Sequence, residues 1–418
     1  MQRDRAAMKR RGQSEPAPAC RRLGAAAALL ALTAVACRKE IPPPPAGGPA
    51  SRPAPTTAPA DDWPMFRGGP AQTGQAAGPL PDAMEPLWRF PAPDAVKSSP
   101  VVADGRVYFG CDDGNVYCLD LLTGEKLWAS PLGDAVAATP LLRDGRLYVG
   151  CADQHFYCLD ARGGRVLWKR KTGGQIVGAA NAWRSDSRGG ELLLVGSYDN
   201  QLHAYTPDGD KAWTVATDNF INGAPAVAGG QAIFGGCDGK IHVVELPSGR
   251  QTRQIDTGAY IAASAVLSDG RAIVGNYAGR LTCADIRTGE ILWTYERKER
   301  PFFSSPAVGG GRVVVGGRDG RVHCLDERSG EPVWTFAAGG NVDSSPVIAG
   351  GRVLVGGDAG RLFLLDLADG RKIWSYDLGG SISGSPAVVG GWAIVVCDDG
   401  NVYAFVPAPN RLTEGDRP

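Results

Sequence analysis

Three groups of residues in this chain have the types that chemistry uses. The first is the set of four histidines, His155, His203, His242 and His323. Zinc needs such ligands about 2 Å from one point. His203, His242 and His323 fall at one position of a recurring segment, a position filled elsewhere by Tyr117, Tyr157, Thr282, Phe363 and Tyr403. Copies of one position in neighbouring segments should lie about 14 Å apart, so this pattern predicts packing residues and no metal site. The second group is the cysteines. Cys118, Cys158, Cys283 and Cys324 share a position with Ala204, Val243, Leu364 and Ala404, which predicts small apolar core sites; Cys111, Cys151 and Cys397 share another. The chain has no Cys-Cys dipeptide and no CxxCH haem signature, and its thiols are expected to be buried and mostly unbridged. The third group is the segment YERKERPFFSS, Tyr295 to Ser305. It sets Arg297, Lys298 and Arg300 beside Phe302 and Phe303, a mixture of aromatic and basic residues typical of binding hot spots.

The elements that position these groups follow from a repeat. Tryptophans stand at 88, 128, 168, 213, 293, 334 and 374, with Arg253 completing the column, and a second column of Pro or Ala runs from Pro100 to Pro386 at the same spacing. Two columns that keep one period of about 40 residues indicate a repeat array. Each unit, such as SSPVVADGRVYFGCDDGNVYCLDLLTGEKLW, holds four short β-rich runs separated by Gly turns and has no helical period. That predicts an all-β chain of four-stranded antiparallel propeller blades. The chain has a lone fourth strand around Trp88 and a lone third strand at NVYAFVP. Each supplies what the other lacks, so the N-terminal strand is expected to close an eight-bladed ring. Each Trp is expected to pack its blade onto the next. The column Asp120, Asp160, Asp285, Asp326 and Asp366 is expected to cap the Gly turn that follows it.

Repetition fixes shape, so function is sought where the repeats disagree. Before each first strand stands an apolar position: Val96, Val136, Ile176, Ile221, Ile261, Phe302, Val342 and Ile382. It should be buried. The next position varies and should line the mouth of the central channel, with Lys97, Asn222, Phe303 and Asp343 as its distinctive members. Blade 4 is the odd one, with Arg253 in the Trp column. The insertion around WRSDSRGGE should lie on the face opposite the mouth.

The segment LDLLTGEKLW and its copies resemble the tryptophan-docking motif of the eight-bladed PQQ-type propellers. This superfamily includes quinoprotein alcohol dehydrogenases and the BamB-like lipoproteins of outer-membrane barrel assembly. The resemblance runs from about Asp62 to Pro407, including the lead-in DDWPMFRGGPAQTG. For a dehydrogenase it would imply PQQ over a calcium ion, with Asp, Glu and Asn ligands and often a cysteine pair. No set of positions supplies those ligands, so no cofactor and no catalytic residue is assigned. The BamB-like branch implies a scaffold or binding role beside a protein partner.

Ahead of the repeats, Arg21 and Arg22 precede an apolar run, Leu23 to Ala36, ending in TAVAC. That describes a secretory signal too short to span a bilayer of about 30 Å. Cys37 is then the expected lipidation site. Residues 1–37 are read as signal, 38–60 as a Pro/Ala-rich tether, 61–407 as the propeller and 408–418 as a tail. Lys plus Arg and Asp plus Glu both number 44, which leaves no basic footprint for nucleic acid. The expectation is a monomeric, non-catalytic propeller held by a lipid anchor at the periplasmic face of the outer membrane, with a soluble periplasmic protein as the alternative address. A PQQ- or small-ligand-binding propeller is the second functional reading and a glycan-binding surface protein the third.

Overall fold

Short β-branched runs separated by Gly turns fold here into antiparallel meanders. The computed structural model describes residue 55, residues 57–185 and residues 190–409. Eight four-stranded sheets make up the repeats. Blade 1 comprises Val101–Ala103, Arg106–Gly110, Asn115–Asp120 and Lys126–Pro131. Blades 2 to 7 repeat this order. Blade 8 takes Ala387–Val389, Trp392–Val396 and Asn401–Pro407 from the C-terminal end and Met84–Pro91 from the N-terminal end. The closing strand is antiparallel to Asn401–Pro407, with Trp88 opposite Ala404 and Pro91 opposite Asn401. The expected closure is therefore the observed one. Cys37 and the four residues 186–189 of the insertion lie outside the described residues. Ser185 and Gly190, which flank the latter, are joined by a backbone hydrogen bond of 2.8 Å on the face opposite the mouth.

The Trp column works as docking residues. Trp334 lies over Gly370 of the next blade, and a Cβ there would sit 2.6 Å from the indole. Its Nε1 donates to the Leu367 carbonyl at 2.9 Å. Trp88, Trp128, Trp168, Trp213 and Trp293 cover Gly124, Gly164, Gly209, Gly249 and Gly330 in the same way. The turn glycine thus serves two needs: a positive φ, 73° at Gly370, and a surface flat enough for an indole. In blade 4, Arg253 lays its side chain over Gly289 and donates to the carbonyls of Arg287 and Thr288. Trp374 meets the ring seam, where no such turn exists, and packs edge-on to Phe405 at 5.7 Å. Asp120, Asp160, Asp285, Asp326 and Asp366 each accept a backbone N–H of their turn.

The cysteine column is the cross-strand partner of the Trp column. Cys118 pairs with Trp128, Cys158 with Trp168, Cys283 with Trp293 and Cys324 with Trp334. A small side chain there leaves room for the indole opposite. All eight cysteines of the described residues are buried, and burial raises the thiols of Cys118, Cys158, Cys283 and Cys324 to about 12. Such thiols are inert at neutral pH.

The lead-in segment takes a course the repeat pattern does not announce. Trp63 forms an antiparallel bridge with Val102, and Gln75 a parallel one with Ile348. Between them the chain passes along the innermost strands. The carbonyls of Pro64, Pro70, Ala71, Thr73 and Gly74 accept the amides of Leu142, Val227, Leu267, Val308 and Ile348. The Asn181 side chain adds a bond to Pro70 at 2.8 Å. With the Val102 amide on Trp63, this plug therefore satisfies the inner edges of six blades, edges that would otherwise present unpaired backbone groups, and meets a seventh through the Asn181 side chain.

Candidate functional site: the mouth of the central channel

The apolar column before each first strand is buried at all eight positions, Phe302 included. It packs under glycines of the second strand: a Cβ at Gly316 would sit 2.4 Å from Val342, and one at Gly275 would sit 2.5 Å from Phe302. Burying this column directs the following residue toward the axis. Lys97, Asn222, Phe303 and Asp343 accordingly line one cavity of about 200 Å³ at the mouth, with Phe66 of the plug also on its wall.

Two ion pairs hold the charges of this rim. Lys97 pairs with Asp112, and that hydrogen bond raises the Lys97 pKa. Asp343 is gripped by Arg318, from Nε at 3.0 Å and from Nη2 at 2.7 Å. The same guanidinium lies 3.8 Å from the centre of the Phe303 ring. Phe303 also meets Tyr277 at 4.6 Å, and Tyr277 meets Tyr260 at 6.5 Å. Further round the rim, Tyr198 and Phe220 stack at 4.8 Å. Blades 3 to 6 thus carry an aromatic arc on the mouth face, and Tyr260 and Tyr277 are exposed.

The segment from Tyr295 to Ser305 does not act as one patch. Phe302 is core. Phe303 faces the channel. Arg297, Lys298 and Arg300 line a separate outer depression of about 480 Å³ with Glu296, Asp319 and Arg321. Arg297 is bound to Asp319 at 3.1 Å. The arginine that stacks on Phe303 is Arg318, a residue of the next hairpin turn, which sequence spacing alone does not single out. Asn222 donates to the Cys237 sulfur at 3.2 Å, and its buried Oδ1 has no partner.

The histidine column is buried and has a role beyond packing. His203, His242 and His323 each bond an aspartate four residues earlier, Asp199, Asp238 and Asp319, at 2.9 to 3.0 Å. In blades 1 and 2 the same bond is made by Tyr117 to Asp113 and Tyr157 to Asp153. These bonds brace the hairpin turns that form the mouth face. Desolvation lowers the pKa of His203 and of His323. The Asp238 and Asp319 carboxyls are lowered in spite of burial, chiefly by the bond from the histidine. Among the described residues no cluster of three or more ligating side chains could hold a metal ion.

The mouth cavity also decides whether a calcium-borne quinone suits this chain. Calcium takes six to eight oxygen ligands, several of them carboxylate. Among the residues lining the cavity, Asp343 is the one carboxylate, and Arg318 occupies it. The donor set does not fit that group.

Below the rim runs a ring of hydroxyls. Ser99, Thr139, Ser264, Ser305, Ser345 and Ser385 each accept a backbone N–H from the preceding blade at 2.8 to 3.2 Å. Ala179 and Ala224 occupy the column in blades 2-to-3 and 3-to-4 and leave a gap. Beneath, Arg67 is fully buried and donates to the carbonyls of Pro346 and Pro306 at 2.5 and 2.8 Å. Desolvation pulls its pKa down to about 9. The Ser-Ser-Pro repeats and the lone Arg of the lead-in were the available sequence signals for these two features.

Fold and docking motif together define an eight-bladed PQQ-type propeller. Residues 82–188, 180–257, 238–320 and 318–408 match the family described as outer membrane protein assembly factor BamB, and the chain belongs to that family. A relative from Yersinia pestis, the outer membrane protein assembly factor BamB, is 34% identical over 122 residues; the match covers 25% of this chain and 31% of that protein. The crystal structure of BamB from Moraxella catarrhalis superposes with a TM-score of 0.65 at 18% identity, covering 78% of this chain and 98% of the other. A europium-containing methanol dehydrogenase gives 0.71 at 14% identity, with 82% and 98% covered. At such identities both likenesses concern the fold, which serves catalysts and non-catalysts alike.

Proposed function

We propose that this chain is a non-catalytic docking propeller of the cell envelope that serves outer-membrane protein assembly. It engages a protein partner through the mouth rim of blades 3 to 6. The observation that carries this reading is the Phe303 cluster. An aromatic ring is held between Tyr277 and Arg318, with Tyr260 exposed beside it. Pre-ordered aromatic and arginine side chains of this kind anchor protein interfaces. Family membership supports the assembly role, and the absence of a fitting donor set at the mouth favours a scaffold without PQQ or calcium. Lipidation at Cys37, placement at the periplasmic face of the outer membrane and a monomeric ring belong to the same proposal.

The test is in-cell photocrosslinking from Tyr277 and Phe303. The expected products are components of the outer-membrane assembly complex. Recovery of soluble periplasmic enzymes alone would overturn the reading. Cys37→Ser is expected to release the protein from the membrane fraction; unchanged fractionation would remove the lipid anchor.

A further inference from the structure

Each hydroxyl of the ring has used one lone pair and kept its donor. A Ser or Thr hydroxyl offers one O–H and two lone pairs. In Ser99, Thr139, Ser264, Ser305, Ser345 and Ser385 the oxygen accepts a neighbouring blade's N–H, and the hydroxyl hydrogen finds no acceptor among the described residues. All six side chains are more than nine-tenths buried and line the mouth cavity. Six O–H groups therefore surround one space of about 200 Å³, roomy enough for a small ion with its water.

The charge below this ring has the complementary sign. Arg67 bonds the carbonyls of the residues that follow Ser305 and Ser345, so its guanidinium lies directly beneath that part of the ring. Its neighbour Phe66 is on the cavity wall. Among the described residues no carboxylate pairs with Arg67. A buried charge without a counter-ion is costly. The rim ions do not alter this balance, because Lys97–Asp112 and Arg318–Asp343 neutralise each other in pairs.

We propose that the mouth cavity binds a small free oxoanion, carboxylate or phosphate in chemistry, held by the hydroxyl ring and the field of Arg67. Converging O–H donors over a fixed positive charge form a preorganised oxyanion site. The site lies below the aromatic rim, with which it shares Phe303 on the cavity wall, and it does not depend on the docking role proposed above. Ala179 and Ala224 leave one side of the ring without hydroxyls, with Val177 on the cavity wall there.

The test uses the full chain. Crystals soaked in sodium selenate are expected to show an anomalous peak within hydrogen-bonding distance of the Ser305 and Ser345 hydroxyls. Calorimetric titration with inorganic phosphate and with succinate, at constant ionic strength set with chloride, is expected to saturate with one site. Arg67→Met and Ser345→Ala should each weaken binding at least tenfold, and Ala179→Ser, which adds a seventh hydroxyl, should strengthen it. Should Arg67→Met fail to fold, the two ring variants decide the matter. No selenate peak in the ring, or equal affinities in wild type, Ser345→Ala and Ala179→Ser, would overturn the proposal and leave the docking role standing. Loss of partner crosslinks with anion binding intact would do the reverse.

Discussion

The Arg318 guanidinium stacks on the Phe303 ring at 3.8 Å and grips Asp343 through Nε and Nη2. The guanidinium thereby holds both of the other side chains in place. A planar guanidinium can stack and bond in a fork at once, whereas an ammonium cannot. The rim consequently presents an aromatic surface whose ordering cost is already met before a partner arrives.

Phe303→Ala removes the centre of that surface. Truncating a hot-spot aromatic costs about 2 kcal/mol or more of binding, roughly thirtyfold in affinity, so the crosslink yield from Tyr277 is expected to fall sharply. Phe303 is only half-buried, and changes at such surface positions stay within about 0.5 kcal/mol of stability. Thermal unfolding should therefore hardly move. Arg318→Lys is expected to give a smaller loss in the same assay. A large fall in melting temperature with unchanged crosslinking would show the cluster to be structural.

The Trp-over-glycine contact gives a prediction about stability. Trp334→Ala empties a site that is nearly buried and should cost about 3–5 kcal/mol. Gly370→Ala keeps the indole but puts a methyl 2.6 Å from it. Gly351 is the control, since its φ of 80° is equally positive and nothing lies within 4 Å of an added Cβ. Gly351→Ala should show only the backbone term of about 1 kcal/mol. Urea unfolding of the two glycine variants measures the difference. Equal costs would mean that the turn glycine serves conformation alone.

Stability should decline on the acid side in two stages. Burial lowers the His203 and His323 pKa values in the folded protein below the ordinary value of 6.5. Between the folded and unfolded pKa the unfolded chain binds more protons, so stability is full above about 6.5 and is lost as pH falls below it. Asp238 and Asp319 are lowered from 3.8; their contribution persists below the histidine window and disappears as pH falls through their folded values. His323→Gln should flatten the first stage between pH 6.5 and 5 and weaken the brace on the turn at Asp319. Melting temperatures of wild type and variant across that range provide the check, and parallel curves would contradict it.

The ring, its closure and the docking Trp residues could be read in the sequence, because each blade repeats one solution to one packing problem. The column alignment even placed Lys97, Asn222, Phe303 and Asp343 at one cavity. Three features escaped that logic. Arg318 sits in a hairpin turn of the same blade, 15 residues beyond Phe303 in sequence, and the entry loop folding onto that turn, with the Arg318 amide donating to the Pro301 carbonyl at 3.1 Å, brings them together. The hydroxyl ring hides in Ser-Ser-Pro segments that also suit plain strands; its function as an inter-blade clasp depends on contacts between residues about 40 positions apart. The plug lies outside the repeat altogether, so periodicity carries no information about it.

That plug supports the last prediction. The amides of Val102, Leu142, Val227, Leu267, Val308 and Ile348 all donate to its carbonyls. Their first strands are three residues long and have no other neighbour on the channel side. Each bond is worth about 1 kcal/mol net, so deleting residues 57–80 should cost on the order of 6 kcal/mol and let water reach the inner edges. Hydrogen exchange at those six amides should accelerate together, while amides between the second and third strands stay protected until global unfolding. Retained protection at the six positions in the truncated chain would show that the inner strands satisfy their edges without the plug.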